Sequence, residues 1–191
     1  MKIGLYFGSF NPIHTGHCII ANFILANTPL DQVWFVVSPQ NPLKSSAGLL
    51  NEYHRLHLVQ LAVEEEINLR VSDIEFRLPK PSFTVDTLAY LQEKYSHHSF
   101  SVIMGSDSFK NLPRWKNYLH IIQHYPIYVY VRPGHEDITF YPNADITTLK
   151  APLLEISATL IRDNLKHGKS IRYLVPDKVL EEITKNGYYR N

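Results

Sequence analysis

The sequence predicts an α/β fold: a doubly wound parallel sheet with helices on both faces and a small C-terminal helical piece. Short apolar runs alternate with longer stretches of helical period, the rhythm of parallel strands joined by crossover helices. Val33-Trp34-Phe35-Val36-Val37 is apolar throughout, as a strand covered on both faces requires. The first apolar run stops at Gly8-Ser9 and a helical pattern follows, as in a strand-turn-helix unit.

Each element has its own signal. Residues 3–7 form the first strand. From Gly16 to about Asn27 the pattern is helical, with Ile20, Phe23 and Ile24 on one face. Residues 38–50 hold Pro39, Pro42, Gly48 and a run of serines, and read as a long loop. Residues 52–66 read as a helix with Leu58, Leu61 and Ala62 inward, and 70–76 as a short strand. Residues 84–95 form a helix carrying Val85, Leu88 and Ala89. A strand at 100–104 stops at Gly105, a short helix spans 118–124, and a strand spans 127–131. Residues 134–145 are polar and irregular, and 147–156 are a last extended piece. Ser157 is placed to cap a helix that ends before Gly168, and a final helix runs from about Pro176 to Asn186, ahead of Gly187.

At 191 residues the chain reads as one domain, 1–191, with about 157–191 as a helical appendage closing one edge. Hydrophobic residues at 45% and charged residues at 19% support a full core and exclude disorder. A net charge of +1 removes bulk attraction to nucleic acid or to an anionic membrane. Cys18 is the single cysteine, so no intrachain disulfide and no Cys-rich zinc site can form. The first apolar run is too short for a signal peptide or a membrane span, so a cytoplasmic protein is expected, and homo-oligomerisation stays open.

The segment Gly8-Ser9-Phe10-Asn11-Pro12-Ile13-His14-Thr15-Gly16-His17 links the first strand to the first helix. In an open parallel sheet, ligands gather where strands end and helices begin. A helix N-terminus offers free N–H groups and the positive end of a dipole, which favours phosphate. His14 and His17 lie three apart, so both rings can reach one small space, donate to phosphate oxygens and, as cations, add charge. With no third ligand beside them, no metal site is expected. The loop is neither Gly-x-Gly-x-x-Gly nor a Walker A loop, against a dinucleotide dehydrogenase or a P-loop kinase. Near the C-terminus, Ser157 and Thr159 lie beside the free N–H groups of another helix start, and Arg162 follows one turn on with its planar fork.

These two segments resemble the signatures of the nucleotidyltransferase superfamily, (Gly/Ser/Thr)-Phe-(Asp/Asn)-Pro-x-His-x-Gly-His and Ile-Ser-(Ser/Ala)-Thr-x-Ile-Arg. Within it, roughly residues 2–190 are similar to the bacterial nicotinate-nucleotide adenylyltransferase family. The discriminating segments are Ser38–Lys44, Tyr53-His54-Arg55, Pro81–Leu88, Ile103–Asp107 with Leu112–Trp115, Val131–Gly134 and Tyr173–Asp177. Departures are Phe7 for the first Gly of a Gly-Gly pair, Ser9 for Thr, Asn11 for Asp, and Leu43 for the His before Lys44.

The resemblance implies a Rossmann-like fold and transfer of the adenylyl group of ATP to nicotinate mononucleotide, with Mg²⁺ carried by the ATP. It implies catalytic roles for His17, His14, Lys44 and Arg162. Lys44, Ser157, Thr159 and Arg162 would hold the β- and γ-phosphates. Gly8, Ser9, Phe10, Gly105, Asp107 and Arg132 would frame the adenosine side, and Thr84, Trp115 and Lys116 the nicotinate end. Five of these have plainer readings: Ser157 and Thr84 as helix caps, Asp107 as the cap of a turn at 108–112, Trp115 as a packing residue and Lys44 as a solvated loop lysine. The rival readings are another acceptor, pantetheine phosphate or glycerol phosphate, and a non-catalytic nucleotide-sensing domain.

Overall fold

The computed structural model describes residues 1–40, 48–152 and 155–190. Among them, six strands form one parallel sheet: β1 (Lys2–Gly8), β2 (Gln32–Val37), β3 (Leu69–Ser72), β4 (Ser99–Gly105), β5 (Ile127–Tyr130) and β6 (Ile146–Leu149). Their spatial order is β3-β2-β1-β4-β5-β6. The order reverses between β1 and β4, which creates a crevice beyond their C-terminal ends. Both signature loops and Gly105 converge there.

The helices divide between the faces because successive strand side chains alternate. Tyr6, Phe35, Ile103 and Tyr128 share one core with α1 (Thr15–Asn27), α2 (Glu52–Val63), α6 (Ala158–Lys166) and α7 (Asp177–Asn186). Leu5, Val36, Val102, Met104 and Val129 share the other with α3 (Thr84–Lys94), α4 (Ser106–Lys110) and α5 (Tyr118–His124). The doubly wound prediction is correct.

Several local expectations need correcting. The C-terminal helices do not close a sheet edge. Ile161, Val179 and Ile183 are buried in the α1/α2 core, and Lys178 of α7 bonds Glu64 and Glu65 just beyond α2. The strand expected at 70–76 ends at Ser72, and a 3-10 turn takes over at Ile74–Arg77. Of the piece expected at 147–156, the described residues form a strand at Ile146–Leu149. α4 was not foreseen, because five residues are too few to show a helical period. Ala89 faces solvent, while Thr87 and Leu91 join Val85 and Leu88 in the core. In α2 the buried stripe is Arg55, Leu58, Val59 and Val63, with Leu61 and Ala62 only half-buried.

Candidate active site

Two clefts open at the switch point and share Asp107. The first, about 360 Å³, is walled by Gly8, Ser9, Thr84, Trp115 and Lys116, among others. The second, about 410 Å³, holds His14, His17, Arg132 and Ser157. Gly8, Ser9 and Gly105 therefore lie on the same cleft as Thr84 and Trp115, with Asp107 joining them to Arg132.

The histidine pair is built by the start of α1. His14 is its N-cap, and the His14 backbone N–H donates to Nδ1 of His17 at 3.3 Å. An Nδ1 that accepts leaves the neutral ring's proton on Nε2, so His17 is a donor from its other nitrogen. The rings stack with centroids 3.7 Å apart, which bears out their expected convergence. His17 is held edge-on by Phe10 at 5.1 Å and Tyr6 at 6.0 Å. Thr15 fixes the start of α1 from outside, its backbone N–H donating to the Leu174 carbonyl at 2.9 Å.

His14 departs from the expectation that it adds charge. It is 4% exposed. Burial, aided by the nearby Arg132 guanidinium, lowers its pKa to about 4. It is neutral at pH 7. Gly16 leaves room for it, since a Cβ there would stand 3.1 Å from His14 Nδ1. Phe10 is also placed differently from expectation. At φ 45° its ring turns inward, is 3% exposed and lines neither cleft.

The cation of the second cleft is Arg132, just beyond β5. Nη1 donates to Oδ2 of Asp107 at 3.2 Å, and its backbone N–H donates to Ser106 Oγ at 2.9 Å. The guanidinium also lies over the Tyr130 ring at 5.7 Å. A Cβ at Gly105 would meet Asp107 Oδ1 at 2.4 Å and the Tyr130 ring at 3.1 Å, so a larger residue would push Asp107 aside. Asp107 does not cap a following turn. It sits in the first turn of α4, whose N-cap is Gly105.

At the start of α6, Ser157 is the N-cap, its Oγ accepting from the Leu160 N–H at 3.1 Å. Arg162 donates from Nη1 to the Asn11 carbonyl at 2.8 Å and from Nη2 to Thr159 Oγ1 at 3.3 Å. Arg162 thus ties the second signature to the first. Thr159 and Arg162 line neither cleft, whereas Ser157 joins the histidines.

On the first cleft, Thr84 is the first residue of α3 but not its cap, which is Phe83. The N–H groups of Asp86 and Thr87 bond the Phe83 carbonyl, so those of Thr84 and Val85 precede the helical ladder. Trp115 is half-buried. Lys116 Nζ lies 2.8 Å from Asp86 Oδ2 and 5.0 Å from the Phe83 ring centroid, which ties Trp115's loop to the start of α3. Lys44 lies outside the described residues. Among the described residues, no group of three or more His, Cys, Asp or Glu is placed to hold a metal ion, and no helix is long and apolar enough to cross a membrane.

Sequence reasoning missed two buried charged residues. Arg55 is fully buried and donates to the carbonyls of Leu50, Ser9, Ser38 and Pro39. It pins the first signature loop to the start of the following one. Its signal was position: it lies three and four residues before Leu58 and Val59, on the apolar stripe of α2. Glu75, 2% exposed, stands in the wall of the first cleft. Nothing in its local sequence marks it.

The comparisons agree with this geometry. The cytidylyltransferase-like family model matches residues 5–164. A Flavobacterium psychrophilum protein named probable nicotinate-nucleotide adenylyltransferase is 52% identical, with 100% of each chain covered. A Cytophaga hutchinsonii protein of the same name is 51% identical, again over 100% of both chains. Among solved structures, Plasmodium falciparum nicotinic acid mononucleotide adenylyltransferase complexed with NaAD superposes with a TM-score of 0.79 at 20% identity, covering 98% of this chain and 97% of that one. At that identity the likeness shows the fold.

Proposed function

The chain belongs to the nicotinate-nucleotide adenylyltransferase family, within the cytidylyltransferase-like group, and from this premise we propose how its clefts carry the reaction. The enzyme joins ATP and nicotinate mononucleotide into nicotinate adenine dinucleotide, releasing pyrophosphate. The observation that carries the assignment of its residues is the pair of clefts meeting at Asp107. One has an aromatic and amide wall suited to a flat ring, and the other has imidazole and helix-start donors suited to phosphates, with the Arg132–Asp107 pair beside them.

The acceptor's 5′-phosphate is the nucleophile. An oxygen of it forms a bond to the α-phosphorus of ATP, in line with the bond that breaks to the β-phosphate. The nucleophile is already ionised at neutral pH, so no protein base and no covalent enzyme intermediate are needed. Catalysis is positioning of two anions and stabilisation of charge on the α-phosphate oxygens. His17 donates from Nε2 to those oxygens. Neutral His14, stacked on it, holds the ring and lines the triphosphate side. Arg132 lies over the adenosine side with Asp107, which accepts from ribose hydroxyls. Ser157, Thr159, Arg162 and Lys44 hold the leaving pyrophosphate, Arg162 after exchanging a partner. Trp115 stacks on the pyridine ring, and amides near Thr84 and Lys116 face its carboxylate. Mg²⁺, carried by the ATP, would supply positive charge to the phosphates of the leaving pyrophosphate. Among the described residues no cluster of carboxylates is placed to hold a metal ion, and Asp107 is paired with Arg132. The enzyme acts in the cytoplasm on these small molecules, without nucleic acid or membrane.

Pyrophosphate release from ATP, measured with nicotinate mononucleotide, nicotinamide mononucleotide, pantetheine phosphate and glycerol phosphate as acceptors, tests this. Release is expected with the pyridine mononucleotides. Release driven best by pantetheine phosphate or glycerol phosphate would reassign the acceptor, and none with any would point to a nucleotide-sensing domain.

A further inference from the structure

Glu75 is a buried acid that the chemistry above does not use. It sits in the 3-10 turn after β3, in the wall of the first cleft. One carboxylate oxygen accepts from Ser82 Oγ at 2.7 Å and the other from Thr87 Oγ1 at 3.0 Å. Ser82 and Thr87 are themselves buried, and they flank Phe83, Thr84 and Val85. Burial raises the Glu75 pKa, and hydrogen bonds from Ser82, Ser38 and Thr87 offset part of that. A buried carboxyl is costly unless it is fully hydrogen-bonded, and an apolar residue would fill the same space without that cost. What the carboxyl adds is a two-pronged clamp with fixed geometry. It grips the chain on both sides of the turn whose first amides precede the helical ladder. No backbone bond along that segment does this, because the ladder begins only at Asp86.

We propose that Glu75 is a positioning residue for substrate selection: by clamping Ser82 and Thr87 it holds the first turn of α3 so that its amides meet the ring substituent of the pyridine mononucleotide. This rests on the assignment of the first cleft to that mononucleotide. Glu75 itself touches no reacting atom.

Steady-state kinetics on the full chain test it, with KM measured separately for nicotinate mononucleotide and ATP. Glu75→Ala is expected to raise the mononucleotide KM roughly 5- to 150-fold, the range set by misaligning an amide donor to the charged ring substituent. The ATP KM should stay within about twofold, as uniform loss of binding at one subsite requires. Glu75→Gln keeps one acceptor oxygen and should recover most of the loss. Thr87→Val keeps the volume and removes one prong, so it should show part of the same KM shift even if the alanine variant fails to fold. Combined with Glu75→Gln it should add less than the sum of the two, as coupled residues do. A lower kcat with both KM values unchanged, or equal rises in both, would overturn the proposal and leave Glu75 a structural residue. If the unmodified enzyme shows no activity with nicotinate mononucleotide, it is the cleft assignment that fails, so the two failures are distinct.

Discussion

Neutral His14 has a consequence for acid stability. Its pKa in the folded protein is about 4, against about 6.5 for an unhindered imidazole. Between these values the unfolded chain binds a proton that the folded chain refuses. Folding stability therefore falls as pH drops through 6.5 toward 4, and is fully present above 6.5. The full shift corresponds to roughly 3 kcal/mol, of which about 2 kcal/mol is lost between pH 7 and pH 5. The ring is almost wholly buried, so solvent does not screen this away. His14→Gln removes the titration while keeping a polar side chain. Urea denaturation of both proteins at pH 7, 6 and 5 should show the stability of the native protein relative to the variant falling by about 2 kcal/mol. A relative stability constant to within about 0.5 kcal/mol over that range would refute the reasoning, since a group with equal pKa in both states contributes no pH dependence.

His17→Ala should lower kcat by ~100- to 1000-fold with a smaller change in the ATP KM, the loss typical of one donor to a developing oxyanion; initial rates within about threefold of the native enzyme would remove His17 from the transition state. Arg162→Lys should impair ATP and pyrophosphate handling, because lysine cannot bridge the Asn11 carbonyl and Thr159 as the planar fork does. Titration showing weakened mononucleotide binding with normal ATP binding would place Arg162 at the other end of the site. Arg55→Ala should cost about 3–5 kcal/mol of stability, since the carbonyls of Ser9, Ser38, Pro39 and Leu50 lose a buried donor. A denaturation midpoint unchanged from the native protein would show that water replaces it.

The sheet and its coverage were legible because strands buried on both faces are continuous apolar runs, and Val33–Val37 could hardly be anything else. The convergence of His14 and His17 was legible from their spacing at a helix start. The neutrality of His14 was not, because its burial and its proximity to Arg132 arise only from tertiary contact. The residues at 103–107 and 131–132 were legible as strand ends beside a ligand. That Asp107 and Arg132 pair with each other depends on β4 and β5 being neighbours, which local pattern does not encode. Arg55 and Glu75 were hidden for a common reason. A charged residue is read as solvated by default, and only the folded loops reveal the carbonyls and hydroxyls that make burial tolerable. That the Phe10 ring packs into the core depends on its φ of 45° and on packing that local pattern does not encode.

Nicotinate adenylylation is tested most directly by comparing kcat/KM for nicotinate and nicotinamide mononucleotides at fixed ATP and Mg²⁺. Stacking on Trp115 serves either ring, so discrimination must come from the substituent. On the proposed assignment, amide donors near Thr84 and Lys116 would satisfy a carboxylate, whereas a carboxamide would turn an NH₂ toward a donor and lose a bond. A preference for the nicotinate form of ~5- to 150-fold is expected, the equivalent of about 1–3 kcal/mol. Equal values, or a preference for the amide, would contradict it.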